Sequence, residues 1–285
     1  MPKISVLMPI YKTPEKYLRE AIESVLAQTF KDFEFLILDD CPEDNRKDIV
    51  ASYNDERIKY WQNDINMGIS ASRNKLIDLA KGEYLAVMDH DDICLPERFE
   101  KEVQYLDKHP EVGVVSAQLN SIISQKTSQN PADNHSIKLA LMRVCVISHP
   151  VSMIRKSVLL ENNIRYEEQY TPSEDYALWC RLIPHTEFHN LEDILLLYRD
   201  HKENTSHLQG DKMKKATLGV WTFVEEENPS LFKEFLLKAR QKSYIKLFGF
   251  IPIISVIKQG ECSKYYLFEK IPLLSIKQTT KLKGK

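Results

Sequence analysis

The sequence predicts an α/β protein built on a doubly wound, mainly parallel sheet with helices on both faces. Three observations lead there. Short β-rich runs alternate with stretches of helical periodicity from residue 4 to residue 116. Two of the runs, Phe33–Leu38 and Tyr84–Met88, are apolar almost throughout, as suits strands covered on both faces. Acidic residues stand directly after them, Asp39-Asp40 and Asp89, at the carboxyl edge where open α/β sheets bind their ligands.

The elements follow in order. Residues 4–8 form the first strand, closed by Pro9. Between Pro14 and Gln28, Leu18, Ala21, Ile22, Val25 and Leu26 recur at helical spacing, with Pro14 near the first turn. After the strand Phe33–Leu38 come a helix within 44–53 and a strand at 57–61. Ala71, Leu76, Leu79 and Ala80 give a helix over 70–80, and Tyr84–Met88 is the next strand. A helix over 96–108 and a strand at 112–116 complete the regular part. Residues 120–136, rich in Ser, Gln, Asn and Asp, read as a loop. Then we expect a helix near 136–143, a strand near 151–154, a helix at 174–182 and a strand at 194–199. Residues 211–241 are helical and amphipathic by pattern. The expected division is 1–210 for the α/β domain and 211–285 for a helical, basic and apolar extension.

Composition narrows the function. Of the 285 residues, 43% are hydrophobic and 28% charged, enough for a core and ordinary for a globular chain. A net charge of −2 gives no basic field for nucleic acid. Five scattered cysteines, Cys41, Cys94, Cys145, Cys180 and Cys262, form no C-x-x-C pair and suit reduced thiols in a cytoplasmic setting. No signal peptide or spanning helix is expected.

Charge is nevertheless unevenly placed. Residues 242–285 hold nine Lys against Glu261 and Glu269, a net +7 that leaves −9 for the rest. The same segment contains a repeat at an offset of 20 residues, Leu247-Phe248 to Val256 against Leu267-Phe268 to Ile276, with Leu, Phe, Ile, Pro and Ser in register. Apolar units among lysines suit an anionic membrane surface, and Pro252 and Pro272 point to two short amphipathic pieces. Covering the α/β domain or a partner subunit is the alternative.

Several clusters at the predicted carboxyl edge carry chemistry. Asp89-His90-Asp91-Asp92 puts three carboxylates in four residues. They repel one another, and a divalent cation relieves this; Mg²⁺ or Mn²⁺ suits oxygen ligands completed by phosphates. The same residues also suit an acidic turn before the helix at Pro96. Asp39-Asp40 fits either a hydrogen bond to a nucleobase or ribose, or a helix cap. Tyr11 fits a base-stacking ring or a locally packed turn residue. Gly68, in Asn66 through Asn74, allows close backbone approach before a helix, and Arg73 adds a cation. Glu174-Asp175 opens a helix, as a general base or merely as complements to the helix dipole. His201, just beyond Tyr198-Arg199, is a metal or phosphate contact or an ordinary surface histidine.

Taken in order, these segments resemble the family 2 glycosyltransferases of the GT-A fold. The resemblance is carried by Ser5 through Tyr11, Ser24 through Thr29, Leu38-Asp39-Asp40, Asn66 through Asn74, Gly82 through Asp92, Ser173-Glu174-Asp175 and Tyr198-Arg199-x-His201. It covers about residues 3–207. It implies a donor site in which Tyr11 stacks on uracil with Pro9 shaping the wall, Asp39 accepts from the ring, and Arg73 contacts the base. Asp89 would hold the ribose or help the metal, Asp91 would bind Mn²⁺ or Mg²⁺, and His201 would be a late metal or phosphate contact. Asp175 would be the base of an inverting transfer from a UDP-sugar to a hydroxyl of a glycan, or lipid-linked glycan, acceptor. That implies work in cell-surface polysaccharide or lipopolysaccharide synthesis, in the cytoplasm or at the inner membrane face. Two departures stand out: His90 replaces a small residue, and Cys41-Pro42 replaces Gly-Ser after the paired acids. The rival functions are a sugar nucleotidyltransferase and a non-catalytic binding subunit on a transferase fold. Against the first stands Pro9-Ile10-Tyr11-Lys12, where a glycine-rich loop would be expected.

Overall fold

A computed structural model describes residues 1–200, 210–241, 244–247, 251–259, 262–267 and 271–277. Two compact units divide the chain, Met1–Glu227 and Asn228–Lys285. The first contains an eight-stranded sheet and its helices. In chain order its strands are β1 (Ile4–Ile10), β2 (Phe33–Asp39), β3 (Ile58–Gln62), β4 (Tyr84–Val87), β5 (Ile93–Cys94), β6 (Val112–Ser121), β7 (Met153–Arg155) and β8 (Glu187–Tyr198). The spatial order is β3-β2-β1-β4-β7-β6-β8-β5. Strands β3, β2, β1 and β4 run parallel, as do β6 and β8, while β7 and β5 are antiparallel to their neighbours.

Strand β1 lies at the centre, and all seven of its residues are buried. Helix α1 (Glu15–Leu26) presents Leu18, Ala21, Ile22 and Val25, one face at helical spacing, and all four are buried. Helix α2 spans Lys47–Ala51, α3 Ile69–Leu79 and α4 Arg98–Lys108. Gln28, after α1, donates to the Leu95 carbonyl at 2.8 Å and accepts from the Phe99 amide at 3.1 Å, locking α1 to the start of α4. Gly82 sits so close to β1 that a Cβ there would lie 2.5 Å from the Ser5 nitrogen. Its own N–H donates to the Ser5 hydroxyl at 2.8 Å.

After β3 the chain crosses from one flank of β1 to the other, making a topological switch between β1 and β4. Pro9 opens the crevice there. Leu7 bonds toward β4, through Met88 N–H to its carbonyl at 3.1 Å, so Pro9, two residues on, has its missing N–H on the same side. Pairing of β1 with β4 accordingly stops at Leu7, while pairing with β2 continues to Ile10 opposite Asp39.

The remaining helices of this unit are α5 (Asn134–Ala140), α6 (Lys156–Glu161), α7 (Glu174–Leu182) and α8 (Gly210–Glu227). The loop expected over 120–136 is shorter, because β6 runs on to Ser121 and α5 starts at Asn134, capped by Asp133 through the Ser136 N–H at 2.9 Å. The helix expected over 211–241 is two helices. Helix α8 stops at Glu227 and α9 (Pro229–Gln241) begins on a proline, which suits a first turn and not a helix interior.

The second unit contains α9 and four strands, β9 (Tyr244–Leu247), β10 (Ile251–Gln259), β11 (Cys262–Leu267) and β12 (Ile271–Lys277), in the order β12-β11-β10-β9. All three pairings are antiparallel. Among the described residues, the extension is therefore helical through Gln241 and extended beyond it. The Ile-Pro of each repeat copy opens a strand, β10 or β12, where amphipathic helical pieces were expected. A short apolar run does not distinguish the two. Among the described residues, no helix is long and apolar enough to cross a membrane. Cys41, Cys94, Cys145 and Cys180 are free, as their spacing suggested.

Candidate active site

The ends of β1, β2 and β4 build one rim of the crevice. Beyond β1, Tyr11 is 45% exposed, and Lys12 turns the chain with φ +50° and its Nζ 5.1 Å from the Tyr11 ring. At the end of β2, Asp39 and Asp40 are both buried. Asp39 accepts from the backbone N–H of Cys41 at 3.0 Å, that of Arg46 at 2.7 Å and the Tyr60 hydroxyl at 3.0 Å. Three donors from the chain thus meet the carboxylate expected to face a uracil ring, and they fold the Cys41-Pro42 loop around it. Burial and the adjacent Asp39 push the Tyr60 hydroxyl up.

Asp40, read from sequence only as one of a pair with Asp39, organises the next loop. Its Oδ1 accepts from Asn63 at 2.7 Å and the Met67 N–H at 2.8 Å, and its Oδ2 from the Gly68 N–H at 2.8 Å. Gly68 has φ +83°, the left-handed region in which glycine costs least, and α3 starts one residue later. Asp40 thereby sets the entry of the helix that carries Arg73.

The acidic loop follows β4. Asp92 is fully buried; its Oδ1 accepts from the Arg199 N–H at 2.8 Å and its Oδ2 has no partner. Burial first, then Asp91 and Asp89, raise the proton affinity of Asp92 well above the carboxylate norm. Burial also raises Asp89, opposed by Arg73 and reinforced by Asp91. The buried Nδ1 of His90 has no partner. Arg199 clamps the loop: its Nε donates to the Asp91 carbonyl at 2.8 Å, its Nη2 pairs with Glu20 on α1, and its guanidinium lies 4.3 Å from the Tyr17 ring. Sequence had shown Arg199 only as part of a motif. His201 lies outside the described residues.

The opposite wall is the start of α7. Arg73, expected to contact the nucleobase, has its guanidinium between two carboxylates. Nη1 is 2.6 Å from Glu174 Oε1 and Nη2 is 3.4 Å from Asp89 Oδ1. It lies 5.4 Å from the Tyr166 ring, and Tyr166 is held by both amide atoms of Asn74, at 2.8 and 2.9 Å, and by His149 Nε2 at 2.9 Å. Burial, then Arg73 and Arg98, hold His149 well below the ordinary imidazole range, so it stays neutral. No local pattern marks His149 or Tyr166; they belong to the site only through contacts across the fold.

Asp175 is half-buried, with Oδ1 2.7 Å from its neighbour's amide at Tyr176. Burial and then Glu174 push its carboxyl up to about 6, against the pull of Arg73. A carboxylate with that affinity can take a proton near neutral pH. Among the described residues, no three His, Cys, Asp or Glu side chains form a ready metal cage. The loop fits a hard cation all the same: it offers grouped carboxylates, one with an unpartnered buried oxygen, and Mg²⁺ or Mn²⁺ commonly takes one or two carboxylates and completes its shell with phosphates.

A mainly parallel sheet with its acids at the switch point is the architecture of the GT-A transferases. Solved structures agree on the fold. Staphylococcus aureus TarS 1–349 in complex with UDP-GlcNAc aligns with a TM-score of 0.66 at 20% identity, over 85% of this chain and 74% of that one. The mannosyltransferase PcManGT of Pyrobaculum calidifontis, in complex with GDP-Man and Mn²⁺, aligns with 0.56 at 14%, over 86% and 76%. Residues 5–160 match the family described as Glycosyl transferase family 2. An uncharacterized glycosyltransferase of Methanocaldococcus jannaschii is 35% identical over 207 residues, covering 70% of this chain and 71% of that protein. The O-antigen biosynthesis glycosyltransferase WbnJ of Escherichia coli is 31% identical over 212 residues, covering 71% and 81%. The chain belongs to glycosyl transferase family 2 and is a glycosyltransferase.

Proposed function

We propose that this enzyme transfers a hexose from a UDP-sugar to a hydroxyl of a glycan acceptor, with inversion and with Mn²⁺ or Mg²⁺. The observation that carries the proposal is a carboxylate of near-neutral affinity, Asp175, next to Glu174, which Arg73 ties to Asp89 of the acidic loop. A metal at Asp91, with His201 as a further contact, would supply charge neutralisation for the leaving diphosphate. Pro9 and Tyr11 would line the base pocket, with Asp39 shaping its floor, and Asp89 would meet the ribose.

Asp175 Oδ2 would receive the acceptor hydroxyl proton, since Oδ1 is engaged by a backbone amide. The acceptor oxygen then bonds to the anomeric carbon as the bond to the diphosphate breaks, and the diphosphate leaves with the electron pair. Positioned bases of this kind contribute about 10²–10⁴-fold. Arg73 would orient Asp89 and balance the local negative charge. The UDP-GlcNAc complex of TarS and the O-antigen role in the name of WbnJ support a UDP-sugar and a glycan acceptor, which in this proposal is lipid-linked and met at the inner membrane face. The test is a panel of UDP-sugars with Mn²⁺, read as UDP release with and without glycan acceptors. Absence of acceptor-stimulated release across the panel overturns the UDP-sugar assignment.

A further inference from the structure

Glu174 and Asp175 are adjacent on the first turn of α7, yet they are used differently. Glu174 turns inward and is 6% exposed, and its Oε1 meets Arg73 at 2.6 Å. Asp175 is half-buried and engages only a backbone amide among the bonds given above. Arg73 rests on a fixed platform, because Tyr166 beneath it is tied to Asn74 and His149. Its reach is thus decided by which carboxylate takes its fork. The contact with Glu174 is the short one, that with Asp89 is 3.4 Å, and neither is bidentate: Arg73 Nε and Glu174 Oε2 are both buried without partners.

We propose that Glu174 is a positioning residue, which draws the Arg73 guanidinium onto itself and so keeps that cation from pairing with Asp175. The proposal rests on Asp175 being the base. A carboxylate that pairs with Arg loses about 1–3 pH units of proton affinity and becomes a poor acceptor for a hydroxyl proton. The groups that act on Asp175 are Arg73 on α3, Asp89 after β4, Tyr166 before α7, Cys145 after α5, and Glu174 and Cys180 on its own helix. Arg73 is the cation in that set, so its placement governs the base. The acid pair at the start of α7 therefore divides its labour: one member holds the cation and the other takes the proton.

The test is a ¹³C-carboxyl NMR titration of the full chain, with the Asp175 signal assigned by its loss in Asp175→Asn. It compares the native protein, Glu174→Gln, Arg73→Met and the double variant. Gln is nearly isosteric with Glu, and the Glu174 carboxyl, assigned by its loss in Glu174→Gln, is followed in the same titrations, so its direct repulsion of Asp175 is compared between the backgrounds at equal Glu174 charge. Glu174→Gln is expected to lower the Asp175 midpoint by about one pH unit or more. In the Arg73→Met background the same change is expected to move it less than half as far, the non-additivity that marks action through Arg73. An equal shift in both backgrounds means direct repulsion alone and overturns the proposal, as does no shift in either. The titration reads Asp175 whether or not sugar is transferred, so loss of the base assignment shows separately, as an Asp175→Asn variant that still turns over.

Discussion

Replacing Asp175 by Asn is expected to stabilise the fold while it abolishes transfer. In the folded protein the Asp175 carboxyl is raised from 3.8 to about 6. A raised affinity means that folding favours the protonated form. The associated stability is fully present below the unfolded value and is lost as pH rises through the folded one. The window is therefore about pH 4 to 6, and above it the native state carries an ionised, crowded carboxylate. Two pH units correspond to at most about 3 kcal/mol. Sharing of charge with Glu174 and Arg73 reduces what a single substitution recovers, so about 1–2 kcal/mol is expected at pH 7.5. Asn keeps the size and the Oδ1 acceptor for the Tyr176 amide but cannot take a proton. The assay is urea unfolding of both proteins at pH 4 and pH 7.5, alongside acceptor-dependent UDP release. The variant should gain stability at pH 7.5, show a smaller difference at pH 4, and lose transfer by about 10²-fold or more. A variant less stable than the native protein at pH 7.5 refutes the assigned environment. Transfer within a few-fold of native refutes the assigned role.

Three further outcomes are expected. UDP should raise the melting temperature only with Mn²⁺ or Mg²⁺ present, given the acidic loop; equal stabilisation in EDTA would remove the metal from the proposal. Beneath that loop, Arg98 and Glu102 form an ion pair with both side chains fully buried, and burial pushes Glu102 up to about 7 against the pull of Arg98. Glu102→Gln should cost about 3–5 kcal/mol because it leaves a buried cation uncompensated, whereas Arg98→Met with Glu102→Leu should be far milder, as urea midpoints will report. Finally, the +7 charge of residues 242–285 should pull the full chain down with anionic liposomes at low salt and release it at high salt. If a chain ending at Gln241 sediments equally, or if both stay in the supernatant, the membrane contact is wrong.

Periodicity made the parallel part of the fold legible. The helix expected over 174–182 is α7, and Phe33–Leu38 differs from β2 by one residue. Strand β5, of two residues, is too short to leave a pattern; β7 falls at Met153–Arg155 where a strand was expected near 151–154, but the antiparallel pairing of both depends on neighbours distant in sequence. The break at Pro229 was written in the sequence as a proline inside a helical pattern, but the amphipathic period on either side concealed it. The acids of the site could be named because they follow strands or, for Glu174 and Asp175, open a helix. Their partners could not. Arg73 meets Glu174 across 101 positions and Arg199 meets Asp92 across 107, distances over which local spacing carries no information.

The same partners explain why the acids are tolerated. Asp39 and Asp40 are buried but spent on backbone amides, and so they hold loops in place. Around the crevice the accounts are left open: Arg73 Nε, Glu174 Oε2, His90 Nδ1 and Asp92 Oδ2 are buried without a hydrogen-bond partner. Each such atom costs about 1–3 kcal/mol unless a partner reaches it. The satisfied carboxylates lie at the end of β2, whereas these four of the ten buried unpartnered side-chain atoms among the described residues lie on α3, after β4 and on the first residue of α7. A ligand bearing a diphosphate, a cation and a hydroxyl can satisfy groups of both signs at once. The division thus separates the acids spent on holding loops in place from the atoms that a bound ligand can still engage.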